Sequence, residues 1–423
     1  MAYYSIFPNQ DTTLYSQPDR KSLNTGHDEI IELVKERGSS DNILYPTRML
    51  MKFSQDDIDH VIKTFICSDD KFGNQIGWII GINKANGGCD PFQSTIDLTS
   101  ANAENLLDII NIEAYPMSQS WSEGTGRFTD VPTGSNGCSW IYRDNDVNQQ
   151  AWQTASIHYT NSPSTGSIDS TLITHGGGTW YTGSSAVYDP NNTYNSYVEG
   201  FRGSQQLLAG DSLDVSMDVT TTIMKFYGGG PEGYVGAFDA HPFTLPNNGF
   251  VIKQPDHIEE NVSSSFGDLQ YFSSNTHTIH PPKLTFKWDD SIHESQSLAK
   301  LSGSLDVTLY KNQEEFNQND EVKFRIHIRD KYPNRTFTTT SNYLNTGYFT
   351  TSSFYSIRDA HTEREIIPFD DDYTKMSADS EGMYFNIYMK GLQPERYYRL
   401  LFKHINDDGT TIYDNDYHFK VIR

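Results

Sequence analysis

From Val322 to Arg329 apolar and polar residues alternate: Val322, Phe324, Ile326 and Ile328 interleave with Lys323, Arg325, His327 and Arg329. Successive strand side chains point to opposite faces, so this period of two predicts a strand with one buried and one wet face. Residues 383–389 alternate less cleanly, 107–115 reads as a strand, and 417–422 as the terminal one. Asn247-Asn248-Gly249 is a turn feeding the apolar stretch 250–253, and Asp407-Asp408-Gly409-Thr410 is the last hairpin turn. Helical spacing is scarce. It predicts one helix over 54–63, with Ser54 as N-cap and acids in the first turn, and a second over 219–227, stopped by Gly228-Gly229-Gly230.

Composition strengthens the β reading. Tyr (26), Phe (23) and Gly (31) are abundant, as strands and tight turns require. With 36% hydrophobic residues the chain still fills a sandwich core, to which only alternate residues contribute. At roughly 150 residues per domain, the length of 423 suggests two or three domains. A net charge of −23 argues against nucleic acid as partner, because phosphate binding draws on Lys and Arg. No run reaches the roughly 18 apolar residues of a membrane span, and the N-terminal residues lack the pattern of a signal peptide. These features predict a protein made in a cytoplasm and not exported by the usual route. Cys67, Cys89 and Cys138 cannot all pair with one another and form no CxxC, so neither a disulfide framework nor a zinc knuckle follows from them.

Two regions are expected. The first, 1–290, carries an Asp11-Thr12 opening, Arg48-Met49-Leu50-Met51-Lys52-Phe53 running into the first helix, and Trp121-Ser122-Glu123-Gly124-Thr125. A helix start at Asp218-Val219-Thr220, the 247–253 strand and a closing strand at 281–286 complete the series. In this order the segments resemble the DNRLRE, or disaggregatase-related, family, a carbohydrate-binding-module-like jelly-roll β-sandwich. The stretches around Cys89 and over about 160–200 depart from it as long loop insertions. Such loops are usually functional or contact a partner. The second region, 291–423, is expected to be an immunoglobulin/fibronectin-like β-sandwich: Leu392, Pro394 and Tyr398 have the spacing of a tyrosine corner. The fold class is therefore all-β.

Catalytic chemistry finds little support. His175-Gly176-Gly177-Gly178 resembles an esterase oxyanion segment, but no GxSxG elbow accompanies it, so a Gly-rich surface loop is expected. Gly228, Gly230 and Gly233 fit GxGxxG only by spacing; Pro231 interrupts them and no βαβ unit surrounds them. His277 and His280 precede two prolines and have no further ligand at zinc spacing. The acids at 56, 57 and 59, 289–290, 370–372 and 407–408 are adjacent, whereas a glycosidase needs its two carboxylates ångströms apart in a cleft. They read as solvated turns, with a structural Ca²⁺ as the alternative, although no DxDxDG loop appears. The sequons at Asn191, Asn261 and Asn334 imply nothing without a secretory route. Cofactors are expected to be none.

Aromatic residues raise the question of sugar stacking. Trp121 is expected in the core, whereas Trp180, within the Gly-rich insertion, is expected exposed. With Tyr181, Tyr194 and Tyr197 it is the candidate for partner or glycan contact. The segments at 3–33 and 391–423 look similar to virion structural proteins of contractile-tailed marine bacteriophages such as cyanophages. That resemblance implies a non-enzymatic virion component (neck, tail, baseplate or head decoration), homo-oligomeric and bound to other virion proteins. The alternative is a polysaccharide-binding adhesin on the virion surface.

Overall fold

The computed structural model describes residues 2–38, 43–67, 90–129, 136–146, 149–152, 158–160, 167–169, 176–181, 185–187, 196–198, 202–227, 245–259, 267–294, 298–301, 303–310, 313–333, 346–349, 351–406 and 409–423. The protein is an all-β sandwich fold in which nearly every strand pair is antiparallel and helices are short. The chain divides into two compact units. The larger holds Ile6–Cys89 and Gln93–Thr285; the smaller holds Phe286–Arg423 with Met1–Ser5 and Asp90–Phe92.

In the larger unit, the main sheet runs in the order Gly203–Leu208, Ile109–Pro116, Phe250–Lys253, Leu44–Phe53, Pro8–Tyr15. Phe250–Lys253 lies between two neighbours and is buried at every position, so even Lys253 is 0% exposed. Its entry turn needs a glycine: Gly249 has φ +89°, and a Cβ there would stand 2.4 Å from the Met51 carbonyl. A second sheet places Asp268–Phe272 between Ile30–Leu33 and Ser100–Glu104. The expected first helix forms as α-helix Gln55–His60, which continues as a π-helix over Val61–Ile66. Ser54 caps it by accepting from the Asp57 N–H, and Ile58, Val61, Ile62 and Ile66 are buried. Cys67, just beyond, is disulfide-bonded, while Cys138 is a free, buried thiol. The second helix, Thr220–Phe226, also lies where the pattern put it, and Ile223 is buried.

The smaller unit stacks two sheets. One runs Leu305–Tyr310, Glu321–Asp330, Gly382–Tyr388, Ser377–Asp379. The other runs Glu315–Asn317, Gly409–Ile422, Arg396–Asn406, Ser353–Asp359, Glu365–Ile367. Phe324, Ile326 and Ile328 point into the core as the alternation required, with Val322 half-buried beside them. The Phe385 ring stacks on Tyr355 at 4.4 Å and lies 5.5 Å from Phe324. Each such buried apolar side chain stabilises the fold by about 1.5–3 kcal/mol. Tyr398 completes the corner: it is 2% exposed, and its hydroxyl donates to the Gln393 carbonyl at 2.9 Å. The last strand begins at Gly409, eight residues before the expected 417, because 409–413 ladder onto Phe402–Asn406; being mostly exposed, these positions carry no burial pattern for the sequence to show.

Candidate functional site

Trp180 and its neighbours organise the best-defined polar cluster of the larger unit. Within the Gly-rich insertion, residues 176–181 lie along the strand end at Met117: the Ser118 N–H donates to the Thr179 carbonyl and the Tyr181 N–H to the Pro116 carbonyl, each at 2.9 Å. Gly176, Gly177 and Gly178 all have positive φ, which lets the backbone lie flat on Trp140. A Cβ on Gly177 would meet the Trp140 ring at 2.8 Å and the Arg48 guanidinium at 2.6 Å. The expected surface loop at 176–178 is therefore packed inside, and the expected exposure of Trp180 is corrected. Trp180 is 6% and Tyr181 5% exposed, and Trp180 belongs to a core cluster with Trp121, Trp140 and Trp152. Trp121 is core as expected, its indole N–H donating to the Asn248 carbonyl at 2.9 Å. Tyr194 lies outside the described residues. Tyr197 sits on the short strand Ser196–Val198, opposite Ala186, with its side chain outside them. Cys89, His175, Gly228, Gly230, Gly233, the three sequons and the 407–408 acids also fall outside them.

Between the indoles lies Arg48, its guanidinium 4.6 Å from the Trp140 ring centre and 4.9 Å from that of Trp180. It donates to Glu259 at 2.7 Å and to the Gly177 carbonyl at 2.9 Å. Lys253 is 3.4 Å from the same Glu259 carboxylate and 2.7 Å from Asp256. Arg48, Lys253 and Glu259 thus neutralise one another in a buried setting, while Asp256, its side chain 57% exposed, adds a second carboxylate at the rim. Such a cluster fixes the course of four segments.

A second buried site joins the Asp11 opening to the Trp121-Ser122-Glu123-Gly124-Thr125 segment. The Asp11 N–H donates to Glu123 Oε1 at 2.9 Å, and Asp11 Oδ2 accepts from the Ser274 N–H at 2.6 Å. Asn24 ties the corner by donating to the Glu123 and Cys138 carbonyls, at 2.6 and 2.8 Å, and accepting from the Gly126 N–H at 2.8 Å. Asp11 is 1% exposed; burial, with the Glu123 charge adding to it, pushes its carboxyl up to about 7 against the Ser274 hydrogen bonds. Burial also raises Glu123. No pattern of adjacent acids announces this pair, which lies 112 residues apart in sequence. At 1% exposure Asp11 titrates with the fold and has no reach to a substrate.

The described acids that sequence singled out are held by turns and by other protein groups. Asp56 and Asp57 occupy a first helical turn, and Asp59 accepts from Tyr227 and Gln55. Asp289 accepts from Ser291, while Asp370 accepts from the backbone of Asp372 and Tyr373. His277 is exposed, beside Glu29 at 3.7 Å. Among the described residues no three His, Cys, Asp or Glu side chains gather as a metal site, and no helix is long and apolar enough to cross a membrane.

The open feature of the smaller unit is an edge. Gly409–Ile422 pairs on one side with Arg396–Asn406 through most of its length. Among the described residues its other side is laddered only at Lys420–Ile422, by Glu315–Asn317. Between Gly409 and Asp416 that side carries no ladder among the described residues, although the Asn415 side-chain amide donates to the Val307 carbonyl, and Ile412 is 54% exposed. No family model and no curated protein matches this chain.

Proposed function

We propose that this chain is a non-enzymatic structural protein of a bacteriophage virion, acting through protein–protein contacts of its β-sandwich units. The observation that supports this most is the partly unladdered edge at 409–416. Strand edges of this kind accept a neighbouring chain's strand by β-augmentation, and soluble proteins normally blunt them. Exposed Ile412 sits on an uncharged run, Thr410-Thr411-Ile412-Tyr413, with high strand propensity. Multiple copies docked this way add weak contacts into firm attachment. The resemblance of the two chain ends to virion proteins of contractile-tailed phages supplies the setting.

Ile412→Glu tests the reading. Position 412 lies opposite Lys403, so a glutamate there gains a cross-strand ion pair while placing charge on the edge. The variant is expected to fold as a normal protomer and to be lost from particles assembled in its presence. Incorporation equal to that of the unmodified chain would refute the edge as the contact surface.

A further inference from the structure

At one end of the main sheet of the larger unit, large apolar side chains meet solvent together. Register sets Leu208 opposite Ile109, and the two are 43% and 52% exposed. Pairing continues to Asp108, whose carbonyl accepts from the Ala209 N–H at 3.1 Å, so Leu107, 45% exposed, lies at the same end. Among the described residues of the larger unit, Ile141 is the one other large apolar side chain in the open, so three of four gather here. Gly203–Leu208 ends the sheet, and exposure runs unbroken from Leu208 through the turn at Gly210 to Ser212. Gly210 has φ +103° and open space around it. The next rung on the same face is polar: Gln206 donates to Asn111 at 3.3 Å.

Charge around the patch is of one sign. Residues 96–112 and 203–224, which hold the two strands and their flanks, contain six Asp or Glu and no Lys, Arg or His. Four of these acids are engaged: Asp97, Glu104, Asp214 and Asp218 accept from Ser216, Asn102, Ser100 and Thr220. Asp108 and Asp211, which adjoin the apolar residues in the chain, are exposed, and their carboxylates have no hydrogen bond or ion pair among the described residues. Arg202, the first cation beyond, is held by Glu113 at 2.9 Å. Apolar side chains brought together in the open mark contact sites, and unspent carboxylates beside them select a cationic partner.

We propose that this patch docks a short segment of a partner protein in which apolar residues are flanked by Lys or Arg. The segment's apolar side chains cover Leu107, Ile109 and Leu208, and its cations meet Asp108 and Asp211. A second copy of this chain is disfavoured on two grounds. A two-fold contact uses the same patch on both sides, so these acids would face acids. Three half-exposed side chains also fall far short of the roughly 800 Å² per partner that a stable interface buries. A short segment needs no such area. The patch belongs to the larger unit and the 409–416 edge to the smaller, so this inference does not rest on the assembly role, and its failure would leave that role untouched.

The probes are two labelled synthetic peptides of about ten residues, one alternating Lys with Val and one alternating Glu with Val. Each is titrated with the full chain and followed by fluorescence anisotropy. The Lys–Val peptide is expected to bind and the Glu–Val peptide not to. Leu208→Ser is expected to weaken binding about tenfold, as is the double variant Asp108→Asn with Asp211→Asn; all three positions are exposed, so folding is not at stake. Four results would overturn the proposal. The Lys–Val peptide fails to bind; or it binds the parent and both variants equally, as diffuse attraction to the net charge would give. Leu208→Ser leaves binding unchanged while the aspartate variant loses it, which leaves charge alone. Or sedimentation shows a concentration-dependent dimer that Leu208→Ser abolishes, making a second copy the occupant.

Discussion

Replacing Asp11 by asparagine removes a single titration whose effect on stability follows from its burial. The Asp11 carboxyl lies at about 7 in the folded protein, raised by burial, against an ordinary carboxylate value of 3.8 when the chain unfolds. Between those values the folded state holds a proton that the unfolded state has released. Stability from this group is therefore complete below the unfolded value and is lost as pH rises through the folded one. The slope is about 1.4 kcal/mol per pH unit, so the interval from the unfolded to the folded value is worth about 4 kcal/mol. The amide that replaces the carboxyl keeps an oxygen to accept the Ser274 N–H, 2.6 Å from Asp11 Oδ2 in the parent, and carries no charge beside Glu123. In urea unfolding, the stability of Asp11→Asn relative to the parent is expected to grow by about 2 kcal/mol between pH ~5 and pH ~7, and then to level off. The comparison isolates Asp11, because Glu123 and the other carboxylates titrate in both proteins. A difference that stays constant over this range, or shrinks as pH rises, would refute the reasoning.

Glu259→Gln leaves Arg48 and Lys253 facing each other, with only Asp256 as counter-charge, and is expected to cost about 3–5 kcal/mol in denaturant unfolding. A loss below about 1 kcal/mol would mean that the cluster is hydrated rather than dry. Tyr398→Phe deletes the hydroxyl that satisfies the Gln393 carbonyl and is expected to cost about 1–3 kcal/mol with no change of fold, as read by the same unfolding curves and by near-ultraviolet circular dichroism.

What the sequence made legible was local. The alternation at 322–329, the capped helix after Ser54, the Asn247–Gly249 turn and the Leu392–Tyr398 corner each write their geometry into a few neighbouring residues. Pattern failed where tertiary contacts decide. A glycine run normally marks an exposed loop, yet left-handed φ at 176–178 lets that backbone pack against Trp140 and carries Trp180 inward. Arg48 and Lys253 sit beside apolar strand residues, a hint of buried pairing, but their partner Glu259 is set by a short helix, Asp256–Glu259, that no periodicity announced. The exposed apolar patch was hidden for a related reason. Ile109 and Leu208 look like ordinary strand residues until register sets them opposite each other at the sheet's end, and register between segments far apart in sequence is not a local property.

The proposed role makes this chain a repeated building part of a particle. Quantitative mass spectrometry of purified phage particles measures it directly, by counting copies of this chain against a major capsid protein. A fixed ratio corresponding to several copies per particle, unchanged by further purification, is expected. Absence from purified particles, with the chain recovered only free in the lysate, would contradict it.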